Sequence, residues 1–163
     1  MATTNQIFIP RNIAADRVDS LVKTGVAEVE LRNGDIVVLG EKTDGVYALT
    51  PYADGATAVG IVYNAGVQDN DGYRFGDDPR KIKFAAGTPV NVYIPKEWDE
   101  VAYTVVAGTE AGAKYMVPTD GDTALTFAAS APASGLAFKI NGKSFISVGN
   151  ERVPSFEATV EIK

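Results

Sequence analysis

Histidine and cysteine are both absent from this 163-residue sequence. Without histidine, the commonest general base and metal ligand of proteins is missing, so Ser-His-Asp and Cys-His catalytic groups are excluded. Without cysteine, the chain has no disulfide framework and no thiolate site for zinc. We therefore expect a protein that works by binding and assembly, with no catalytic residues, no metal and no cofactor.

Positive charge and long apolar runs are also scarce. The chain has 15 Lys and Arg residues against 21 Asp and Glu residues, for a net charge of −6. Nucleic-acid-binding proteins cluster Lys and Arg to release counterions from phosphate, and the one basic cluster here, residues 80–83, follows Asp77 and Asp78 with one proline between. No apolar run approaches a membrane span, and the first ten residues lack the features of a signal peptide. We expect no nucleic-acid or membrane partner, and a soluble protein that matures in the cytoplasm where it is made.

What the sequence does contain is a series of short strand patterns separated by turn residues. From Phe156 to Ile162 every second residue is apolar, which is the pattern of a strand with one buried face. Asn-Gly pairs at 33–34 and 141–142 lie between such runs and predict hairpins, because a type I′ turn needs positive φ at both residues. No window carries a sustained helical stripe. The sequence predicts an all-β fold, a small sandwich or barrel of about ten short antiparallel strands.

Two segments of the chain repeat the same order of short motifs. The segment that begins at Gly34 passes through Asp-Gly, Ala-Leu-Thr and Gly-Ile-Val, and the segment that begins at Gly112 passes through Asp-Gly, Ala-Leu-Thr and Gly-Leu-Ala. One β unit used twice accounts for this order, and a chance match among turn-rich strands is the alternative. We predict an N-terminal arm over residues 1–25 and a β domain over 26–163, with a subdivision into 26–96 and 97–163.

The N-terminal arm has an apolar centre within a polar stretch. Its apolar residues are covered either as a first strand tucked into the domain or by contact with a neighbouring subunit. On the second interpretation, the candidate capsid or subunit contacts are Ile7, Phe8, Ile9, Pro10 and Arg11.

The only tryptophan lies among acidic residues. Glu97, Asp99 and Glu100 surround Trp98, as carboxylates and a sugar-stacking ring do in a glycosidase. The plainer interpretation is an acidic turn between strands, in which the tryptophan caps a small apolar cluster. We favour the turn.

Two short motifs contain oxygen donors of the kind that bind calcium. They are Asp69–Gly72 and Thr119–Asp122, and neither has the order of donors found in an EF-hand loop. Asp, Asn and Gly are also the residues that turns favour, because Asx side chains bond to their own backbone and glycine tolerates positive φ. We predict turns at both places.

Three runs follow one another in a recognisable order: Arg32–Gly40 (RNGDIVVLG), Ala58–Val62 (AVGIV) and Ala86–Val92 (AGTPVNV). The order resembles that of head decoration, or capsid cement, proteins of tailed bacteriophages. In that group a Gly-Asp strand comes first, a small-residue strand with Gly-Val or Gly-Ile follows, and an Ala-Gly strand closes the unit. The resemblance covers residues 26–94, with a fainter echo in 101–148, and the N-terminal arm departs from it.

The resemblance implies a small structural β protein without an active site. Such a protein binds the outer surface of an assembled phage capsid and stabilises it by bridging major capsid protein subunits. The resemblance also implies a homo-oligomer, a trimer being favoured, made in the host cytoplasm and located on the exterior of the virion. Two alternatives stay open, another virion component such as a head fibre, tail or baseplate subunit, and a carbohydrate-binding adhesive module.

Overall fold

The computed structural model describes residues 8–12, 22–64, 81–148 and 150–163. These residues form eleven strands: β1 (Phe8–Asn12), β2 (Val22–Ala27), β3 (Ile36–Thr43), β4 (Val46–Pro51), β5 (Val59–Val62), β6 (Pro89–Tyr93), β7 (Glu100–Tyr103), β8 (Tyr115–Pro118), β9 (Leu125–Ala128), β10 (Leu136–Val148) and β11 (Glu151–Ile162). The all-β prediction is confirmed. The described part of the chain contains no helix with the length and hydropathy to cross a membrane.

Strands β2 to β6 close into a five-stranded barrel in the order β2-β4-β3-β5-β6. Four of the neighbouring pairs are antiparallel, but β2 and β4 run parallel, with Gly25 opposite Tyr47. The prediction of antiparallel strands throughout is therefore wrong at this pair. Strand β3 already pairs with β4 and β5 on its two edges, so β2 pairs with the free edge of β4 and closes the barrel there.

The barrel interior has an apolar core of its own. Because side chains alternate along a strand, Val37 and Leu39 of β3 point into the barrel while Ile36 points out of it. A Cβ atom at Gly60 would overlap the side chain of Val92, so the narrow interior requires glycine at this place in β5. The buried residues of the barrel core are Ala27, Leu31, Val37, Leu39, Leu49, Val62, Phe84, Val90 and Val92.

The remaining six strands form an antiparallel sheet in the order β1-β7-β11-β10-β8-β9. One face of this sheet packs on the outside of the barrel, and both parts contribute to a second core. The barrel supplies Ile36, Tyr52, Ile61 and Tyr93 to this core. The sheet supplies Phe8, Val101, Tyr103, Met116, Leu125, Leu136, Phe138, Ala158 and Val160.

The two Asn-Gly pairs do not form the predicted hairpins. Asn33-Gly34 is a turn, with Gly34 at a φ of 96° and Asp35 N donating to Arg32 O at 3.1 Å, but β2 and β3 on either side of it do not pair. Asn141-Gly142 lies inside β10, where the register with β11 shifts at a bulge. Continuous pairing of β10 with β11 outweighs the local turn preference, and the bulge absorbs the extra residue.

The two segments with repeated motifs share a strand arrangement. In the barrel the order is β4-β3-β5, and in the sheet it is β9-β8-β10, so the first strand of each segment is the central one and both of its neighbours are antiparallel to it. Duplication of one unit stays a prediction. The proposed division at residues 96 and 97 falls between the last barrel strand and β7, whereas the proposed arm of residues 1–25 includes β1 and the first part of β2.

Candidate interaction surfaces

Phe8, one of the five predicted contact residues, belongs to the core. It is 2% exposed, and its ring centroid lies 5.0 Å from that of Tyr103. The backbone of Phe8–Asn12 pairs with β7, so this segment is a strand of the sheet, and Phe8 is not available as an exposed contact. Ile7 and the side chains of Ile9, Pro10 and Arg11 lie outside the described residues, and contact through these four stays a prediction.

Three large hydrophobic side chains are exposed in the described part of the chain: Trp98 at 71%, Phe145 at 50% and Ile162 at 47%. They occupy the two ends of the long hairpin made by β10 and β11. At one end, the hairpin base, Ile162 pairs with Leu136, and Trp98 N donates to Val160 O at 2.9 Å. Phe145 lies nine residues along β10 from Leu136, which is about 30 Å at about 3.3 Å per residue.

The other end of the hairpin, residues 144–148 and 151–155, is the hairpin tip. In the described residues its two strands pair only with each other, because β7 joins β11 from Phe156 onward and β8 joins β10 nearer the base. Phe145 lies opposite Pro154, and the Arg152 guanidinium is 4.7 Å from the centroid of the Phe145 ring. The tip therefore presents an apolar surface with one cation stacked on it.

The bulge in β10 decides which face carries Phe145. Before the bulge, Phe138 and Ile140 share a face with Val160 and Ala158 of β11, and this face packs on the barrel. After the bulge, alternation is shifted by one residue, so Phe145 continues the same face. A bulge changes side-chain direction in this way because it inserts one unpaired residue. The exposed surface of the tip is thus an extension of the core-facing side of the sheet.

Trp98 lies in a tight turn between β6 and β7. Lys96 N donates to the Asp99 carboxylate at 2.8 Å, and Asp99 N donates to Lys96 O at 3.1 Å. The turn holds Trp98 at a φ of 76°, which is a rare conformation for a bulky side chain. Asp99 is completely buried and stabilises this turn. The acidic turn is present as predicted, but the Trp98 ring faces solvent and does not cap an apolar cluster.

A pocket of about 270 Å³ lies beside the hairpin base, between the barrel and the sheet. Tyr52 N donates to Asp122 O at 3.0 Å and Gly121 N donates to Tyr52 O at 2.8 Å, so its walls are held together across the two parts of the fold. The Tyr52 side chain is 6% exposed. The residues that line this cavity, the Tyr52 pocket, are Tyr52, Asp54, Gly55, Val117, Pro118, Pro132, Ala133, Ser134 and Leu136.

One carboxylate is buried where the barrel meets the sheet. Asp35 Oδ2 accepts a hydrogen bond from Arg32 N at 2.8 Å, and Ile36 N donates to Thr123 O at 2.8 Å. Burial raises the pKa of Asp35 to about 6, although the bond from Arg32 N and the Arg32 charge act in the opposite direction. Because Asp35 is 6% exposed and does not line the Tyr52 pocket, we assign it a role inside the fold and none in the pocket.

The predicted cation motifs and the basic cluster have local roles where the structure describes them. Thr119–Asp122 is a turn, in which Asp122 N donates to Thr119 O at 3.0 Å, while Asp69–Gly72 lies outside the described residues. In the described ranges, no three acidic side chains converge in an arrangement that could hold a metal ion. Lys83 of the basic cluster forms an ion pair with Glu30 at 3.0 Å.

Comparison with known proteins finds no matching family model, no matching curated protein and no matching solved structure. The sequence predicts a candidate role for Trp98 but none for Phe145, Arg152 or the Tyr52 pocket. No local signal marks these residues, because their placement depends on the bulge and on the packing of the sheet against the barrel.

Proposed function

We propose that this protein is a structural virion protein, without catalytic activity, that binds the outer surface of an assembled bacteriophage capsid. On this proposal it stabilises the capsid by bridging major capsid protein subunits. The observation that carries the proposal is the pair of exposed apolar surfaces, Trp98 with Ile162 and Phe145 with Arg152, at opposite ends of one hairpin. The resemblance of residues 26–94 to head decoration proteins supports the assignment to this class.

The hairpin is suited to bridging because its base is fixed in the fold. At the base, β10 pairs with β8 and β11 pairs with β7, and Phe138 and Val160 are buried against the barrel. A fixed frame with two separate contact surfaces binds two neighbours at a set spacing, which loose tails cannot do without a large cost in chain entropy. Exposed aromatic and arginine side chains are also the types that contribute most to protein interfaces.

Many weak contacts account for stabilisation of a whole capsid. Each copy would bury moderate area, on the order of hundreds of Å² per contact, and the symmetry of the capsid would multiply the effect. Binding to the assembled capsid but not to its dissociated subunits stabilises the assembled state by mass action. Self-association of the protein, with a trimer favoured, and a location on the capsid exterior belong to the same proposal.

Binding of the purified protein to undecorated, expanded heads tests the proposal. We expect saturable co-sedimentation of the wild-type protein, and binding about tenfold weaker for the double variant Phe145→Ala/Arg152→Ala, because aromatic and arginine anchors dominate interface energies. The matched control is Lys42→Ala/Tyr47→Ala, which removes another aromatic–cation pair, located on the barrel, and is expected to bind as the wild type does. Absence of saturable binding by the wild-type protein would contradict the proposal.

The exposure of Trp98 favours one other candidate function, a carbohydrate-binding module. An exposed ring held by a fixed turn is a platform on which a sugar can stack, and residues in rare backbone conformations concentrate at functional sites. Because Trp98 is the only tryptophan, its fluorescence reports directly on this surface.

A glycan titration separates the two candidates. A carbohydrate-binding module is expected to give a saturable change in Trp98 emission with one class of oligosaccharide, while N-acetyltryptophanamide in the same solutions gives none. Calorimetry on the variant Trp98→Ala is then expected to show loss of that binding. If no oligosaccharide in a panel of hexose and amino-sugar oligomers changes the emission, the carbohydrate candidate is rejected.

A further inference from the structure

The Tyr52 pocket combines apolar walls with acidic groups at its rim. We infer that it takes a lysine or arginine side chain of a partner protein. The inference rests on the proposed function, since it names what a capsid subunit would insert beside the hairpin base.

The walls of the pocket fit the aliphatic part of such a side chain. Val117, Pro118, Pro132 and Leu136 line it together with the ring of Tyr52. Lysine and arginine carry three or four methylene groups that bury along apolar surface while the charged end reaches a polar site. The volume of about 270 Å³ admits one long side chain and is too small for a folded segment.

The rim supplies negative charge. Asp54 lines the pocket, and its backbone N donates to Asp120 Oδ1 at 3.0 Å, so the two acidic residues are neighbours. After burial, the charges of Asp54 and Asp120 are the next causes that raise the pKa of the Tyr52 hydroxyl, which places their field at this wall of the pocket. In the part of the chain that the structure describes, neither carboxylate forms an ion pair. A cation from outside is the complement of this rim.

The hydroxyl of Tyr52 is a further polar group at the pocket. Tyr52 is 6% exposed as a whole residue, and its hydroxyl is not among the fully buried unpaired atoms of the described residues, so the oxygen keeps some accessible surface. The position that a Cβ would take on Gly135 lies 3.4 Å from this hydroxyl, at the wall formed by Ser134 and Leu136. The N–H groups of an ammonium or guanidinium would donate to this hydroxyl and to the carboxylates.

The position of the pocket indicates a protein as the source of the cation. Leu136 of β10 lines the pocket and pairs with Ile162 of β11. Trp98 N donates to the oxygen of Val160, which is also in β11. The pocket therefore lies at the same end of the hairpin as the exposed apolar residues Trp98 and Ile162. A partner that covers Trp98 and Ile162 brings its own side chains to the mouth of the pocket.

Titration of the full ¹⁵N-labelled chain with blocked amino acids tests the inference. N-acetyl-arginine methylamide and N-acetyl-lysine methylamide are expected to shift the amide signals of residues 52–55 and 117, with dissociation constants on the order of 1 mM. N-acetyl-norleucine methylamide has the aliphatic stem without the charge, and we expect it to bind about tenfold more weakly. No localised shift with either cationic probe, or equal binding of the norleucine probe, would overturn the inference.

Variants assign the binding to the rim. Asp54→Asn/Asp120→Asn is expected to weaken binding of the cationic probes about tenfold. The control Asp44→Asn removes an acid from an exposed turn of the barrel and is expected to have no effect. If Asp44→Asn weakens the probes as much as the double variant does, general charge explains the binding and the pocket assignment is wrong.

The same variants on phage heads separate this inference from the proposed function. Heads are expected to bind Asp54→Asn/Asp120→Asn about tenfold more weakly than Asp44→Asn. If the wild type and the double variant bind heads equally, the pocket inference is wrong and the decoration proposal stands. If the wild type does not bind heads at all while the cationic probes still bind, the proposed function is wrong and only the chemistry of the pocket is supported.

Discussion

Replacing Phe138 with alanine is expected to lower the free energy of unfolding by about 3–5 kcal/mol. The side chain is fully buried at the centre of the core between barrel and sheet, with its ring centroid 5.6 Å from that of Tyr103. Its strand position is fixed on both sides, by Val160 of β11 and Met116 of β8, so the surroundings cannot collapse into the space left behind. Domains of this kind are stable by about 5–15 kcal/mol in total, and the loss is therefore a large fraction of the whole.

The matched control is the same substitution seven positions along the same strand. Phe145 is half exposed at the hairpin tip, so Phe145→Ala is expected to cost less than about 1 kcal/mol. Urea unfolding of both variants, followed by circular dichroism, gives the two free energies. Equal losses would show that the tip is as tightly packed as the base, and would remove the physical basis for treating Phe145 as a contact surface.

A second large effect is expected from pH, through Asp35. Its pKa rises from 3.8 to about 6 on folding, and a rise of this size corresponds to about 3 kcal/mol. Between these two values the folded state holds a proton that the unfolded state has lost. The contribution of Asp35 is therefore favourable to folding at low pH, falls as pH rises from about 4 to about 6, and reaches its full cost above that range.

The groups that face Asp35 set the size of this effect. Burial raises the pKa most, the Asp122 charge adds to it, and the Arg32 charge and the hydrogen bonds from Arg32 N and Thr123 oppose it. The buried hydroxyl of Tyr103 is within electrostatic range of Asp35 and has no hydrogen-bond partner in the described residues. It does not ionise in this pH range, because burial raises its pKa well above the usual value.

Comparison with Asp35→Asn isolates the contribution of this one carboxyl group. Asparagine keeps an oxygen to accept the bond from Arg32 N but has no charge, so the variant is expected to lack the fall in stability between about pH 4 and 6. Urea unfolding of both proteins across this range measures the difference, and Asp44→Asn serves as the control for an exposed acid. A constant difference between wild type and Asp35→Asn at every pH would rule out titration of Asp35.

The strand content of the chain could be predicted from local patterns, but the pairing of the strands could not. Alternation in residues 156–162 correctly indicated β11, and the Asx and Gly residues at 119–122 correctly indicated a turn. Asn141-Gly142 has the same composition as a hairpin turn and yet lies within β10. A turn preference of two residues is small beside the continuous pairing and packing of a long hairpin, and neither of those can be judged from a short window.

The absence of histidine and cysteine is determined by the sequence alone, because it depends only on which residues are present. It excludes histidine and cysteine chemistry whatever the fold. The exposure of a side chain, by contrast, depends on which other residues pack against it. Phe138 and Phe145 are the same residue type in the same strand, one buried and one exposed. The bulge between them sets the face on which Phe145 lies, and the core covers Phe138 but does not reach Phe145. Both the bulge and the core arise from contacts between residues far apart in the chain.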